Sequence, residues 1–418
     1  MAALALCATS GVALAHSKKE HGKTSRTLYV AHTGRAGASD RSCNRAAFST
    51  VQSAVDKAPA GSTVVVCGGS YAEDVIISTP LTLTGRHGAV IHATSTANGM
   101  CEQLGPMGPG SAPCLAGITI KSSHVTVQKL TVTGAIGEGI LATGSLEHGS
   151  ISDVVIQNNR VVDNDNGGKA PSATSPYPQC ASQGGIPGDC GEGIHLMGVA
   201  HSLIKGNFDS NNTGGVLVTD EFGPTHANLI TRNIVTGNKY DCGITVPGHN
   251  PMAVAANGQP QPARAGVYDN TISHNKITNN GRLGEGAGVL FANATAGTGS
   301  YDNVAEDNII TGNGLSGVTM HAHTVGPGQT EDLNGNVIKN NTIGRNNFGG
   351  DDLDGTVADD ATTGILVFSG TVPVKVTISH NSISSNKNGI WLGVGGHVSA
   401  SMRHNVFHNV TTQVFTSP

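Results

Sequence analysis

An all-β fold, a right-handed parallel β-helix closed at its N-terminal end by a short helix, is predicted by three features of this 418-residue chain. The first is an asparagine pair with constant spacing: Asn159/Asn164, Asn207/Asn212, Asn233/Asn238, Asn275/Asn280, Asn308/Asn313, Asn341/Asn346 and Asn381/Asn386. The second is a Gly followed by a β-branched residue a little further on, as in Gly193-Ile194, Gly215-Val216, Gly243-Ile244, Gly288-Val289, Gly317-Val318, Gly364-Ile365 and Gly389-Ile390. The third is composition: 58 Gly, 4% aromatic and 13% charged residues suit a turn-dense stack better than a mixed globular domain.

Units this short cannot bury their own apolar face, so they stack. Steps of 26 (Asn207 to Asn233), 33 (Asn275 to Asn308 to Asn341) and 24 residues (Asn381 to Asn405) are too short for a four-stranded propeller blade and match one β-helix turn. Longer steps carry inserted loops at 164–191 and 246–268, and a third insertion spans 347–361. Asn tolerates left-handed backbone and its amide can bond the amide of the next coil, so aligned Asn residues form a ladder. No leucine consensus or amphipathic helical period accompanies the spacing, which argues against leucine-rich and ankyrin arrays. A solenoid grows in one dimension, so residues 16–418 read as one domain, with a cap at about 28–67 and coils at about 68–410.

From the N-terminus, residues 1–15 are apolar and end in Ala13-Leu14-Ala15 before His16-Ser17-Lys18-Lys19, the small-x-small pattern of a secretory signal without its basic leader. An exported protein, extracellular or periplasmic, is the expectation. Cysteine usage agrees: Cys43/Cys67, Cys101/Cys114 and Cys180/Cys190 are close enough to bridge, and at least two disulfides are expected. Spacing alone leaves open a bond from Cys180 or Cys190 to Cys242, which is otherwise spare. No other apolar run approaches the ~18 residues of a membrane span. A formal charge of −5 and the absence of a Lys/Arg cluster in the sequence argue against nucleic acid and membrane as partners.

Phe48 to Ala58 places apolar residues at helical spacing behind Ser49 and Thr50, and Gly61 to Val66 follows as a turn and strand. A helix here would close the first coil. Gly69-Ser70-Tyr71-Ala72-Glu73 and Val75-Ile76-Ile77 come next as a turn and strand. This run, Gly69-x-Tyr71-x-Glu73 above all, resembles the opening of secreted β-helix proteins of the pectate-lyase-like superfamily, pectin methylesterases included. The resemblance implies the fold and leaves the activity open. Beyond the cap only the coil pattern continues it. The paired glutamine and aspartate motifs of pectin methylesterases, the Arg-x-Pro-x-x-Arg of pectate lyases and the Asp-Pro-His-Asp of alginate epimerases are missing. So are the Asn-Thr-Asp, Gly-His-Gly and Arg-Ile-Lys of polygalacturonases.

Chemistry has to be read from register. With the Gly of each Gly-Ile/Val step as zero, the next residue points inward and the one after it outward. The outward row is Leu141, His195, Leu217, Thr245, Leu290, Thr319, Leu366 and Trp391. Asp220, Glu221, His249, His321 and His323 follow at the turns. Just before zero sit Glu138 and Glu192, in the twin runs Gly137-Glu138-Gly139-Ile140 and Gly191-Glu192-Gly193-Ile194. In adjacent coils these carboxylates would stack about 4.8 Å apart, close to the ~5–5.5 Å of a retaining glycosidase pair, and one would titrate high. Glu138, Glu192, His195, Asp220, Glu221 and Asp241 are therefore the catalytic candidates, with His249, His321, His323 and Trp391 as substrate contacts. The competing reading is a stack of solvated turn carboxylates.

Asp351, Asp352, Asp354, Asp359 and Asp360 gather hard oxygen donors in one insertion, a set that suits calcium without the EF-hand spacing. A solvated acidic loop is the alternative. No other cofactor is indicated, since His249 and His321-x-His323 lack an assured third ligand for a transition metal.

Three function classes follow. The first is a secreted enzyme cleaving a polysaccharide or oligosaccharide, with inserted loops walling a groove and carboxylates as acid and nucleophile or base. The scarcity of outward Arg tilts it toward hydrolysis over lyase action. The second is a non-catalytic carbohydrate-binding or surface protein, and the third a periplasmic metal-handling β-helix protein supported only by 18 histidines. Oligomeric state is not encoded in these patterns.

Overall fold

The computed structural model describes residues 25–94, 100–105, 108–113, 115–164, 191–283, 286–293, 295–322, 330–348, 362–369, 372–393 and 398–416. Three parallel sheets of twelve, eleven and eleven strands run along the molecule, each taking one strand per coil. In one coil, for example, Leu229–Thr231, Ile234–Thr236 and Ile244–Gly248 supply the first, second and third sheets. A five-stranded parallel sheet lies between the third and first, and Met100–Gly105 pairs with Gly108–Pro113 as an antiparallel ribbon. The three-residue strands turn one apolar side chain into the interior each. Ile156, Ile204, Ile230, Ile272, Ala305, Ile338 and Ile378 make one such fully buried row. The Gly that precedes each third-sheet strand has a steric cause: a Cβ on Gly215 would stand 2.2 Å from the carbonyl oxygen of Gly243 in the next coil.

The paired Asn residues are buried at two corners, the first between the first and second sheets, the second between the second and third. Asn207 donates its backbone N–H and its Nδ2 to Asn233 Oδ1, at 2.9 and 3.0 Å, and Nδ2 also to Ile156 O. The same pattern repeats coil after coil. Asn228, Asn270, Asn303 and Asn336 form a third ladder at the corner into the first sheet, which pair spacing alone does not reveal. Left-handed backbone belongs to the residue before the ladder Asn, as at Asn158, Arg232, His274, Asp307, Asn340, His380 and His404, and not to the Asn itself. The corner needs one left-handed residue to turn, and the next residue then aims its amide along the stack.

At the cap, the expected helix forms at Val51–Lys57. Glu73 accepts the N–H groups of Val51 and Gln52 at 2.7 and 3.0 Å, satisfying two donors that a helix start leaves unpaired. The Gln52 side chain binds both N–H and C=O of Ile76, covering the exposed edge of that strand. Tyr71 Oη reaches the carbonyls of Val30 and Cys67, so the Gly-x-Tyr-x-Glu run is cap machinery. Cys43 and Cys67 are bridged. Residues 1–15, the Cys114, Cys180 and Cys190 side chains with that of Cys101, and most of the insertions 164–191 and 347–361 lie outside the described residues. Cys242 is free and buried; its sulfur accepts the Ala287 N–H, and desolvation raises its pKa well above the usual thiol value. No helix among the described residues is long and apolar enough to cross a membrane.

One interior position breaks the apolar rule. Asp209 faces inward between Val161 and Val235, fully buried, accepting Asn212 Nδ2 and Asn238 Nδ2 at 3.0 Å each. Desolvation lifts its pKa to about 7 against the two amide donors. A carboxyl raised above its unfolded value of 3.8 contributes stability that is present below that value and lost as pH rises through about 7. Asp209→Asn is therefore expected to gain in melting temperature relative to the unmodified protein as pH rises from 5 to 8. Thermal melts of both proteins at those two pH values check this, and a difference independent of pH would contradict it.

Candidate active site

The third sheet places its residues as the register predicts. Leu141, His195, Leu217, Thr245, Leu290, Thr319, Leu366 and Trp391 align on its outer face. That face is nevertheless mostly buried, so the expected open groove over this row is not what the coils present. Outward Leu and Trp side chains gain by being covered. Trp391 is 4% exposed, packed with Leu366 and Phe368 and 5.6 Å from the Phe415 ring, an apolar anchor and no platform for a sugar.

Across four successive coils a polar chain crosses this ribbon. The twin Glu runs do occupy adjacent coils, with Gly139 N–H donating to Glu192 O at 2.8 Å. Glu138 turns its carboxylate toward the next coil's strand, where Oε1 lies 3.3 Å from His195 Nδ1. His195 Nε2 lies 2.9 Å from Thr219 Oγ1 on the following coil. Two residues beyond Thr219, Glu221 Oε1 meets His249 Nδ1 of the fourth coil at 2.7 Å. His195 and Thr219 are sealed, while the side chains of Glu138, Glu221 and His249 are 11%, 15% and 19% exposed. Solvent therefore touches the chain at its carboxylate and imidazole ends.

Burial alone would raise the Glu221 carboxyl. The charge and hydrogen bond of His249, then His195 and Thr219, overcome that and hold it at about 2. Asp220, its neighbour in sequence, faces the other way. It accepts the N–H groups of His249 at 2.7 Å, Asn250 at 3.0 Å and Gly266 at 2.6 Å, clamping the two ends of the 246–268 insertion. Burial, then the Glu221 charge, push its pKa to about 7 against those three donors. Asp220 is thus a buried loop clamp and not a group that substrate can touch.

The other predicted residues occupy their own places on these coils. Glu192 is 2% exposed, and a Cβ on Gly214 would come within 3.4 Å of its Oε1 and 3.2 Å of Asp241 Cβ, so both acidic residues flank that glycine. Asp241 accepts the Cys242 N–H at 2.6 Å within its own turn. His321 is buried two coils past His249, opposite Ala292 and Phe368. His323, Asp351, Asp352 and Asp354 lie outside the described residues. Thr219 was not a sequence candidate, because an outward Thr at a strand end is ordinary; its only signal is the Thr-Asp-Glu run at 219–221.

Two family profiles match: a right handed beta helix region over residues 253–411, and the periplasmic copper-binding protein (NosD) over residues 116–303. Solved structures with a similar fold include the polygalacturonase of Erwinia carotovora ssp. carotovora, at TM-score 0.52 and 11% identity over 96% of this chain and 99% of that one. The chain is a right-handed parallel β-helix protein. The mannuronan C-5 epimerase A-module of Azotobacter vinelandii is similar at TM-score 0.52 and 15% identity, over 88% of this chain and 94% of that one. An alginate lyase from Paenibacillus sp. gives TM-score 0.50 and 13% identity over 93% and 99%. No curated protein matches the chain.

The copper named in the second profile does not fit the residues placed here. Among the described residues no three His, Cys, Asp or Glu side chains converge on an ion-sized site. Both ring nitrogens of His195 are engaged, His249 Nδ1 is held by Glu221, and the Cys242 thiol is buried and held protonated.

Proposed function

We propose that this β-helix protein cleaves a polysaccharide, with Glu138, His195, Glu221 and His249 as its catalytic apparatus. The observation that carries the reading is the polar chain itself: four successive coils contribute its five side chains, and solvent reaches it at Glu138, Glu221 and His249. Glu221, ionised above about 2 and separated from Glu138 by the His195 ring, suits a base that activates water or a carboxylate that stabilises a cationic sugar at the transition state. Glu138, bonded to His195 and open at one edge, suits the proton donor. Thr219 fixes the His195 ring from the far side and is too buried to meet substrate. Similar folds carrying the names polygalacturonase, alginate lyase and mannuronan epimerase add support for a polysaccharide substrate. Two carboxylates with distinct surroundings favour hydrolysis over lyase action. The Cys43–Cys67 bridge supports an exported protein, as the signal-like residues 1–15 do.

The test is a panel of plant, fungal and bacterial polysaccharides, read for new reducing ends and for unsaturated-uronate absorbance together. Reducing ends without that absorbance are expected. Absorbance rising with the ends would mean a lyase, and neither signal on any substrate would leave a binding protein.

A further inference from the structure

At the corner between the first and second sheets, on a different part of the surface from Glu138 and Glu221, six coils bring cations into one file. Lys129 and Arg232 occupy left-handed corner positions. Lys205 stands outward on the first sheet, in register with Gln157 and Thr231. Arg160 and Lys276 stand outward on the second sheet, in the row Thr131, Arg160, Phe208, Ile234, Lys276. Arg86 and His87 begin the file at the turn after Leu81–Gly85, and His274 joins it near the other end. All of these are exposed except Lys205, which is half-buried.

No Asp or Glu faces outward from these strands and their corner over the same six coils; the single acidic residue in them, Asp209, points into the core. One coil past His274 the file ends: Asp307 holds the same left-handed corner, exposed, and Glu306 beside it pairs with Lys339, while Asp153 and Asp163 lie on turns at the far ends of the strands and have partners of their own in His124 and Asn211. In a chain of net charge −5 this is a segregated basic stripe. The cations lie tens of residues apart in sequence, which is why no cluster is visible there. Arg86, His87, Lys129, Arg160 and Phe208 also line a shallow depression of about 520 Å³, with Gly206 on its floor.

We propose that this stripe binds a single chain of an acidic polysaccharide, apart from the catalytic chain and whether or not that chain is catalytic. Coils are spaced about 4.8 Å apart, so successive cations meet successive charges of a linear polymer running parallel to the solenoid axis. Nucleic acid fits less well. The benzene ring in the depression, Phe208, already has the Arg160 guanidinium stacked over it at 4.5 Å, which disfavours its use as a platform for a base. A single file of cations also tracks one backbone rather than two.

The test uses the full chain with polygalacturonate, its fully methyl-esterified form and duplex DNA, by calorimetry at low and moderate salt. Binding of polygalacturonate that weakens with salt is expected, with no binding of the ester, which keeps the sugar and removes the charge. The double variant Lys129→Gln/Arg160→Gln should bind at least about tenfold more weakly, since it removes two neighbouring cations from the middle of the file. A thermal melt shows that it folds, and Lys276→Gln, far from the Arg160–Phe208 contact, gives a second variant expected to weaken binding less. Glu221→Gln should bind as the unmodified protein does, which separates this site from the catalytic one. Equal binding by the double variant, equal binding of the ester, or tighter binding of DNA than of polygalacturonate would each overturn the proposal.

Discussion

Glu221→Gln is expected to lower turnover on the cleaved polysaccharide by at least about 10²-fold, because it removes a carboxylate at the site mouth that its surroundings hold ionised at every working pH. Gln keeps the shape and can still bond to His249, so the loss should fall on kcat rather than on KM. The size of the effect should not vary above about pH 4, since the native carboxyl does not titrate there. Stability should move in a defined way as well. A carboxyl held below its unfolded value of 4.5 adds stability that is present above that value and lost as pH falls toward about 2. The variant should therefore melt lower near neutrality and approach the unmodified protein in acid. Glu138→Gln should show a comparable loss of turnover, whereas Glu192→Gln, nearly sealed, should be read in stability. Full turnover in Glu221→Gln would remove this site from consideration, whatever its melt.

The contrast between Asp220 and Glu221 shows where sequence reading stops. Both are acidic, adjacent and at the same strand end, and the pattern treats them alike. Their opposite fates follow from which way each points: Asp220 into the root of the 246–268 insertion, Glu221 toward His249. Glu138 is a similar case, because alternation and coil adjacency place its backbone beside Glu192 while a rotamer, not a period, sends its carboxylate to His195. What periodicity does fix is anything forced by stacking. The Gly row is legible because a Cβ there meets the next coil's carbonyl, and the outward row of the third sheet because strands alternate. That the outward row is buried was not legible, since alternation assigns a face and says nothing of what covers it. The third Asn ladder was within reach: Asn228, Asn270, Asn303 and Asn336 each stand five residues before an Asn already in the pair pattern.

The stacking argument makes its own strong prediction at Asn313. This side chain is fully buried; its Oδ1 accepts the N–H and Nδ2 of Asn280 at 3.0 and 3.1 Å, and its Nδ2 donates to Asn346 Oδ1 at 2.9 Å. Leucine is of similar size, so Asn313→Leu leaves little void, but it strands two donors of Asn280 in a place water does not reach. A buried donor without an acceptor costs about 1–3 kcal/mol, and a loss of about 2–5 kcal/mol in all is expected. Each coil contacts only its neighbours, so the damage should be local before it is global, and hydrogen exchange should quicken first at Asn280 and Asn346. Ile309→Ala supplies the contrast: Ile309 is 51% exposed on a strand of the same coil, and its truncation should cost less than about 0.5 kcal/mol. Equal melts for the two variants would mean that the ladder amides find other partners when broken, and the apolar rows alone would then have to hold the coils in register.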